Sequence, residues 1–285
     1  MDKKIKIAIV GATGVVGRCI LKVLEEENLP IYEYKLFASK KSSGTTIRFM
    51  NKDYTIFELC DSSFDEEFDY AIFSAGSDTA LKYAPIAASK GCRVIDNSSA
   101  FRMDFSVPLV VPEVNFSSIR DKDYIISNPN CSTIQAMLPL KILDDAYVLK
   151  RVVYSTYQAV SGAGKKGISD LENGIKNVSI LEKFPYPIFN NCLPHIDVFL
   201  ENGYTKEEEK MINESKKILN NPTLKVTATT VRVPVFNSHS ESINVEFEKD
   251  FEIEDVFKLF SKAEGIIVQD DIKNNIYPMA INATR

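Results

Sequence analysis

Histidine is scarce in this sequence. Its 285 residues hold only His195 and His239, so any reaction that needs an imidazole has two candidates. Cysteine is present but unorganised. Cys19, Cys60, Cys92, Cys131 and Cys192 are odd in number and form no Cys-x-x-Cys pair, which argues against a disulfide framework and against a metal site. A reducing cytoplasm suits this usage. Positive charge is not in excess. Lys and Arg number 34 against 39 Asp and Glu, a net charge of −5, which leaves nucleic-acid binding without an electrostatic footprint. No apolar run approaches the roughly 18–20 residues of a membrane helix, so no membrane partner is expected. The start MDKKIKIAIVG enters a strand pattern directly, without a signal-peptide layout. Internal repeats and low-complexity stretches are also missing. With 45% hydrophobic and 26% charged residues, the composition is that of an ordinary globular protein of one large or two smaller domains.

What is there begins with alternation. Short apolar runs at 5–10, 34–38, 70–74, 93–96, 109–111 and 124–127 read as strands, with helical patterns at 15–27 and 79–90. That order predicts a Rossmann-type parallel sheet with helices on its faces. A helix beginning near Ser132 follows, with Pro139 placed to kink it. Beyond residue 150 the texture changes. Strand patterns at 151–158, 226–235 and 242–248 and helices at 166–181, 206–219 and 253–263 suit an α+β domain with a mixed sheet. The fold class is therefore α/β followed by α+β, with domains over 1–128 and 129–285. Thr205 and Glu208 have the spacing of a helix capping box.

The first strand runs into Gly11-Ala-Thr-Gly14-Val-Val-Gly17. Glycine at 11 and 14 permits a tight turn and close approach of a pyrophosphate. Gly17 lets the helix pack near the strand, and the helix N-terminus offers free N–H groups to phosphate. In this strand–turn–helix context the pattern indicates dinucleotide binding. NAD sites place an acidic residue at the end of the second strand. Here Ala38 is followed by Ser39, Lys40, Lys41 and Ser42, two cations and two hydroxyls suited to a 2′-phosphate, so NADP is expected. The alternative is a solvated basic loop. No tyrosine has a lysine four residues on, which sets aside the short-chain dehydrogenases and nucleotide-sugar epimerases.

Ser127-Asn-Pro-Asn-Cys131-Ser-Thr-Ile-Gln-Ala136 is a strand end, a turn and a helix start. A thiol on a helix N-terminus is acidified by the dipole and by free N–H groups, which can also hold an oxyanion. Cys131 is therefore read as a nucleophile. The other four cysteines are read as small buried hydrophobes. A thiolate beside a nicotinamide site implies aldehyde–thioester chemistry, which requires a base. His239, flanked by polar residues ahead of a strand, is the better candidate. His195 lies between apolar residues and is expected to be packed.

GATGVVG, SSAFRMD, SNPNCST, QAVSGAG, EEEK, RVPV and SHSES follow one another from residue 11 to residue 242. In this order they resemble the aspartate-β-semialdehyde dehydrogenase family. The resemblance implies NADPH-dependent reductive dephosphorylation of β-aspartyl phosphate to aspartate β-semialdehyde, feeding lysine, methionine and threonine synthesis. It implies Cys131 as nucleophile, His239 as acid/base and Gln158 as the residue that orients substrate. Arg232 matches the position that pairs with the substrate carboxylate. Arg102, Asn130 and Lys210 match phosphate-binding positions, and Glu207 the acceptor of the substrate ammonium. Read without the resemblance, Glu207 and Lys210 suit an exposed ion pair. Thr13, Gly14, Val15 and Val16 match the pyrophosphate turn, and Ser161 and Gly162 the nicotinamide side. The family implies a homo-oligomer, dimer or tetramer, with small-molecule substrate and phosphate as its other partners. It also implies a strand and a long helix beyond Arg285, which this sequence does not contain, so the chain reads as C-terminally shortened. N-acetylglutamyl-phosphate reductases share the thioester scheme but typically read Asn-Pro-Gly-Cys-Tyr at the nucleophile. That activity stands as the alternative, with a catalytically weak NADP-binding fragment as the other.

Overall fold

A computed structural model describes residues 4–284; residues 1–3 and Arg285, the outer ends of the two expected domains, lie outside the described residues. The chain divides into two compact units. One comprises residues 1–110 and 116–129, the other 111–115 and 130–285.

The first unit is built on a seven-stranded sheet. In chain order its strands are β1 (Ile5–Val10), β2 (Ile31–Ala38), β3 (Thr46–Phe49), β4 (Lys52–Glu58), β5 (Tyr70–Phe73), β6 (Arg93–Asp96) and β7 (Ile125–Ser127). Their spatial order is β3-β4-β2-β1-β5-β6-β7, parallel throughout except for the edge pair β3 and β4. Because side chains alternate along a strand, β1 serves two cores. Ile7 and Ile9 join Leu21 and Leu24 of helix α1 (Val15–Glu27) on one face. Ala8 and Val10 join Ala80, Ala84 and Ala87 of helix α2 (Ser77–Ser89) on the other.

The β3–β4 hairpin is absent from the sequence reading. Its turn residues Met50 and Asn51 both have positive φ, at 49° and 58°. Asn is a familiar turn residue, but Met carries no such signal. The expected strand at 109–111 is not formed. A single bridge joins Leu109 to Ser127, and Pro112 begins the short helix α3 (Pro112–Asn115). The pattern misleads because these residues are buried and apolar without being laddered: Val107, Leu109, Val110 and Val111 are all core residues.

The second unit holds a three-stranded sheet, order β10-β8-β9, made of β8 (Leu149–Gln158), β9 (Lys225–Arg232) and β10 (Ser240–Phe247). β8 runs parallel to β9 and antiparallel to β10, so the sheet is mixed. Helices α4 (Cys131–Tyr147) and α6 (Lys206–Ile218) pack on one face. Val152, Tyr154, Thr156 and Gln158 of β8 point to that buried side. α4 continues through Pro139. Helix α5 (Gly164–Ile175) ends before the expected Leu181, where Asn177 takes a left-handed conformation. Helix α7 (Ile253–Lys262) follows β10.

Thr205 and Glu208 form the capping box of α6. The Glu208 amide donates to Thr205 Oγ1 at 3.3 Å, and the Thr205 amide to Glu208 Oε2 at 2.7 Å. Of the four cysteines expected to be buried, only Cys92 is; Cys19, Cys60 and Cys192 are exposed. Their positions on an amphipathic helix and in loops outweigh the general preference of thiols for the interior. Among the described residues, no helix is long and apolar enough to cross a membrane.

Gly17 faces back onto the glycine turn, and a Cβ there would run into the Gly11 carbonyl. Gly17→Ala is expected to cost about 1–3 kcal/mol by overpacking and to lower the melting midpoint by several degrees. A thermal melt matching wild type would show that α1 can shift away freely.

Candidate active site

The site in the second unit starts at a helix cap. Asn130 is the N-cap of α4, and its Oδ1 accepts from the amides of Ser132, at 2.9 Å, and Thr133, at 3.3 Å. This satisfies two otherwise orphaned donors and fixes the first turn. The next residue, Cys131, therefore begins the helix at its positive dipole end. Its Sγ lies 3.3 Å from His239 Nε2.

His239 precedes β10 and is held from behind, where the Ala159 amide donates to Nδ1 at 2.9 Å. An Nδ1 that accepts puts the proton of the neutral ring on Nε2, aimed at the sulfur. Burial first, and then the Arg232 charge, push the His239 pKa down to about 4, so the ring is neutral at physiological pH. The arrangement is a neutral N–H donor facing a sulfur acceptor, which favours thiolate over thiol. His195 is half-buried and stacks on Phe199, with ring centroids 4.4 Å apart.

Charge is arranged around this pair on buried side chains. Arg232 ends β9 with 6% of its surface exposed, and its Nη1 donates to the Ala159 carbonyl at 2.7 Å. Its Nε is buried and has no hydrogen-bond partner among the described residues. Burial pulls the guanidinium below the ordinary arginine value, while the Glu207 and Cys131 charges oppose that pull. Gln158 ends β8, 1% exposed. Its Oε1 accepts from Thr156 Oγ1 at 3.1 Å and its Nε2 donates to Glu207 Oε1 at 3.1 Å.

Glu207 is the second residue of α6 and gathers several donors. Oε1 also accepts from Asn130 Nδ2 at 2.9 Å, and Oε2 from Lys210 Nζ at 3.2 Å. Lys210 also donates to Asp197 Oδ2 at 2.8 Å. The Glu207–Lys210 pair is not the exposed pair its spacing allows, because the Glu207 side chain is only 8% exposed. Burial alone would raise the Glu207 pKa; the Lys210 charge and the two amide donors outweigh it and hold the carboxyl below its usual value. Ser161 and Gly162 lie on a 3₁₀ turn after β8. A Cβ at Gly162 would come within 3.0 Å of Arg232 Nη1 and 3.2 Å of His239 Cε1, so only glycine leaves that pair undisturbed.

The structure thus brings together Asn130, Cys131, Gln158, Gly162, Glu207, Lys210, Arg232 and His239. Arg102 belongs to the first unit, where it is 8% exposed and donates to the Asn97 carbonyl at 3.0 Å. Sequence reasoning missed Glu214, whose Oε2 accepts from the Asn130 amide at 2.6 Å. The signal was present: Glu207, Lys210 and Glu214 follow at helical i, i+3, i+7 spacing on one face.

The first unit carries a second candidate site, shaped for a dinucleotide. Gly11 has φ of 89°, and a Cβ there would meet the Ser74 carbonyl. Gly14 caps α1 without any side-chain bond, leaving the first-turn amides open to an anion, with Thr13, Val15 and Val16 around them. Ser39 to Ser42 form an exposed 3₁₀ turn after β2, with Lys40 and Lys41 free of ion pairs among the described residues. These residues fit a pyrophosphate and a 2′-phosphate.

Comparison with known proteins agrees with both halves. The family model "Semialdehyde dehydrogenase, NAD binding domain" matches residues 6–122, and "Semialdehyde dehydrogenase, dimerisation domain" matches 140–285. An aspartate-semialdehyde dehydrogenase of Aquifex aeolicus is 52% identical over 98% of this chain and 84% of its own length. That of Bacillus subtilis is 44% identical, over 99% and 85%. The crystal structure of aspartate semialdehyde dehydrogenase II from Vibrio cholerae, complexed with ASA, superposes with a TM-score of 0.87 at 42% identity, covering 93% of this chain and 80% of that one. A Candida albicans enzyme solved with NADP gives a TM-score of 0.71 at 25% identity, over 92% and 77%.

The depressed Glu207 pKa has a stability consequence. A carboxylate with a folded pKa below its unfolded value adds stability that is present above the unfolded pKa and lost as pH falls through the folded one. Glu207→Gln should therefore lower the denaturation midpoint at neutral pH, with the gap to wild type closing in the acid range. A gap that stays constant across that range would contradict the charge argument.

Proposed function

Because the chain belongs to the aspartate-semialdehyde dehydrogenase family, we propose that Cys131 and His239 carry the reaction of that family. The protein is an NADP-dependent oxidoreductase of amino-acid biosynthesis, converting β-aspartyl phosphate to aspartate β-semialdehyde and phosphate. The observation that carries the residue assignment is the 3.3 Å contact between Sγ and Nε2 at the start of α4.

In this reading the Cys131 thiolate attacks the acyl carbon, the carbon–oxygen bond to phosphate breaks, and a thioester remains on Cys131. When bound, NADPH supplies the hydride that reduces the acyl carbon. Breaking the carbon–sulfur bond then frees the aldehyde and returns the thiolate. His239 is the acid/base: its Nε2 proton steadies the sulfur before attack and again as the bond to carbon breaks. Gln158, pinned by Thr156 and Glu207, orients the acyl group. Arg232 takes the substrate α-carboxylate; its buried Nε, unpartnered among the described residues, supports this, since a bidentate pair needs a second guanidinium N–H. Glu207 receives the substrate ammonium, and Asn130, Lys210 and Arg102 bind phosphate. A substrate lacking the ammonium, as an acetylated amino acid does, leaves Glu207 without that purpose.

For the cofactor, Gly11 and Thr13 to Val16 are assigned to the pyrophosphate, Ser39 to Ser42 to the 2′-phosphate, and Ser161 and Gly162 to the nicotinamide side. The dinucleotide domain is assigned to residues 1–128 and the catalytic and dimerisation domain to 129–285.

We also infer a homodimer formed through the uncovered face of the three-stranded sheet. Tyr157 on that face is 48% exposed, flanked in register by Ser240 and Val231. The match to a dimerisation-domain model supports this. Tyr157→Glu should give a monomer in sedimentation velocity, and an unchanged dimer would move the interface elsewhere.

The assay is NADP reduction with aspartate semialdehyde and phosphate. Wild type should turn over, and Cys131→Ala should not, with NADP affinity held within about a few-fold because the two sites use different residues. Turnover in the variant, or loss of NADP binding, would make the cysteine structural.

A further inference from the structure

One interaction near Cys131 and His239 has no place in the assignments above. Gln135 lies four residues after Cys131 on α4, which places both on one helix face. Glu241 lies two residues after His239, on β10, and pairs with the buried Thr156 of β8 in the sheet register. Gln135 Nε2 donates to Glu241 Oε1 at 2.7 Å and reaches the His239 carbonyl at 3.5 Å. The helix and the strand are therefore joined twice. One rung is Cys131 Sγ to His239 Nε2, and one turn below it is Gln135 to Glu241.

We propose that the Gln135–Glu241 hydrogen bond is a positioning rung that fixes the spacing between α4 and β10 and so sets the distance from Cys131 Sγ to His239 Nε2. This rests on the reading of Cys131 and His239 as the reacting pair.

Three further observations bear on it. First, Pro139 has no N–H for the Gln135 carbonyl, so the α4 ladder lacks a bond at the turn where Gln135 sits. A side-chain tether at that turn compensates for a locally weaker helix. Second, Glu241 Oε2 is buried without a partner among the described residues, where the carboxyl is held by its contact to Gln135. Third, burial is the main influence on Glu241 and lifts its pKa to about 8, with only the Gln135 N–H acting in the opposite direction. Tyr154 on β8 is the titratable group that senses its charge. At neutral pH Glu241 is mainly the neutral acid. A neutral rung adds no negative charge beside a thiolate that must stay ionised, and this explains why an isosteric amide should replace it.

The test uses the full chain. Relative to wild type, Glu241→Ala and Gln135→Ala are each expected to lower kcat about tenfold while KM for aspartate semialdehyde stays within about twofold, because the change misplaces the reacting atoms rather than the substrate contacts. The rate at which iodoacetamide alkylates Cys131 at neutral pH should fall in parallel. Glu241→Gln should retain most of the activity and most of the alkylation rate. Gln135 is exposed, so its truncation probes the rung from the helix side without disturbing the core. The proposal fails if Glu241→Gln loses as much as Glu241→Ala, if Gln135→Ala leaves kcat and alkylation untouched, or if KM changes in place of kcat. Turnover retained in Cys131→Ala, run alongside, would instead overturn the reading of the reacting pair, and the rung with it.

Discussion

A sulfur and an imidazole 108 residues apart in sequence meet at 3.3 Å, and the second unit is organised around keeping them there. Each partner is fixed by a hydrogen bond between a side chain and main-chain amides. The Asn130 cap sets where α4 begins, and hence where Cys131 points. The Ala159 amide sets which nitrogen of His239 carries the proton. A neutral ring donating to sulfur is more useful here than a charged one, since it steadies a thiolate without requiring a buried cation at the reacting atoms.

Cations and anions are nonetheless buried nearby, and their arrangement is what makes that tolerable. An isolated charge out of water is costly, and losing one member of a buried pair typically costs about 3–5 kcal/mol. Glu207 answers Lys210 and collects amide donors from two other elements, Asn130 on the α4 cap and Gln158 at the end of β8. It therefore ties three elements together at the point where they converge. Arg232 is held by a carbonyl rather than a carboxylate, and so keeps donor capacity for an acidic ligand. The same economy holds at α1, where glycine replaces a side-chain cap and leaves the helix N-terminus to phosphate.

What the sequence made legible follows from the range of the interactions. Local rules worked where local geometry decides. The glycine turn, the bounds of α1, the start of α4 and the Thr205–Glu208 box all depend on residues within one turn of each other. The β3–β4 hairpin escaped because a methionine occupies a positive-φ turn position. Leu109 to Val111 read as a strand because burial was mistaken for pairing. Around Cys131, the residue types were visible but not all their partners. Glu214 reaches the Asn130 amide across 84 positions; its helical spacing placed it on the face of Glu207 and Lys210 but did not name its partner. Glu241 reaches Gln135 across 106, a distance at which no pattern in the sequence marks a contact.

The central claim is that Cys131 is a thiolate at neutral pH, sustained by the helix end and by the His239 N–H. Thiolate absorbance in the ultraviolet, titrated with pH in wild type and in Cys131→Ala, tests it directly. The account predicts that the wild-type minus variant difference shows one thiol ionising well below the ordinary cysteine value of about 8.5. A difference curve that rises only at or above that value would contradict it.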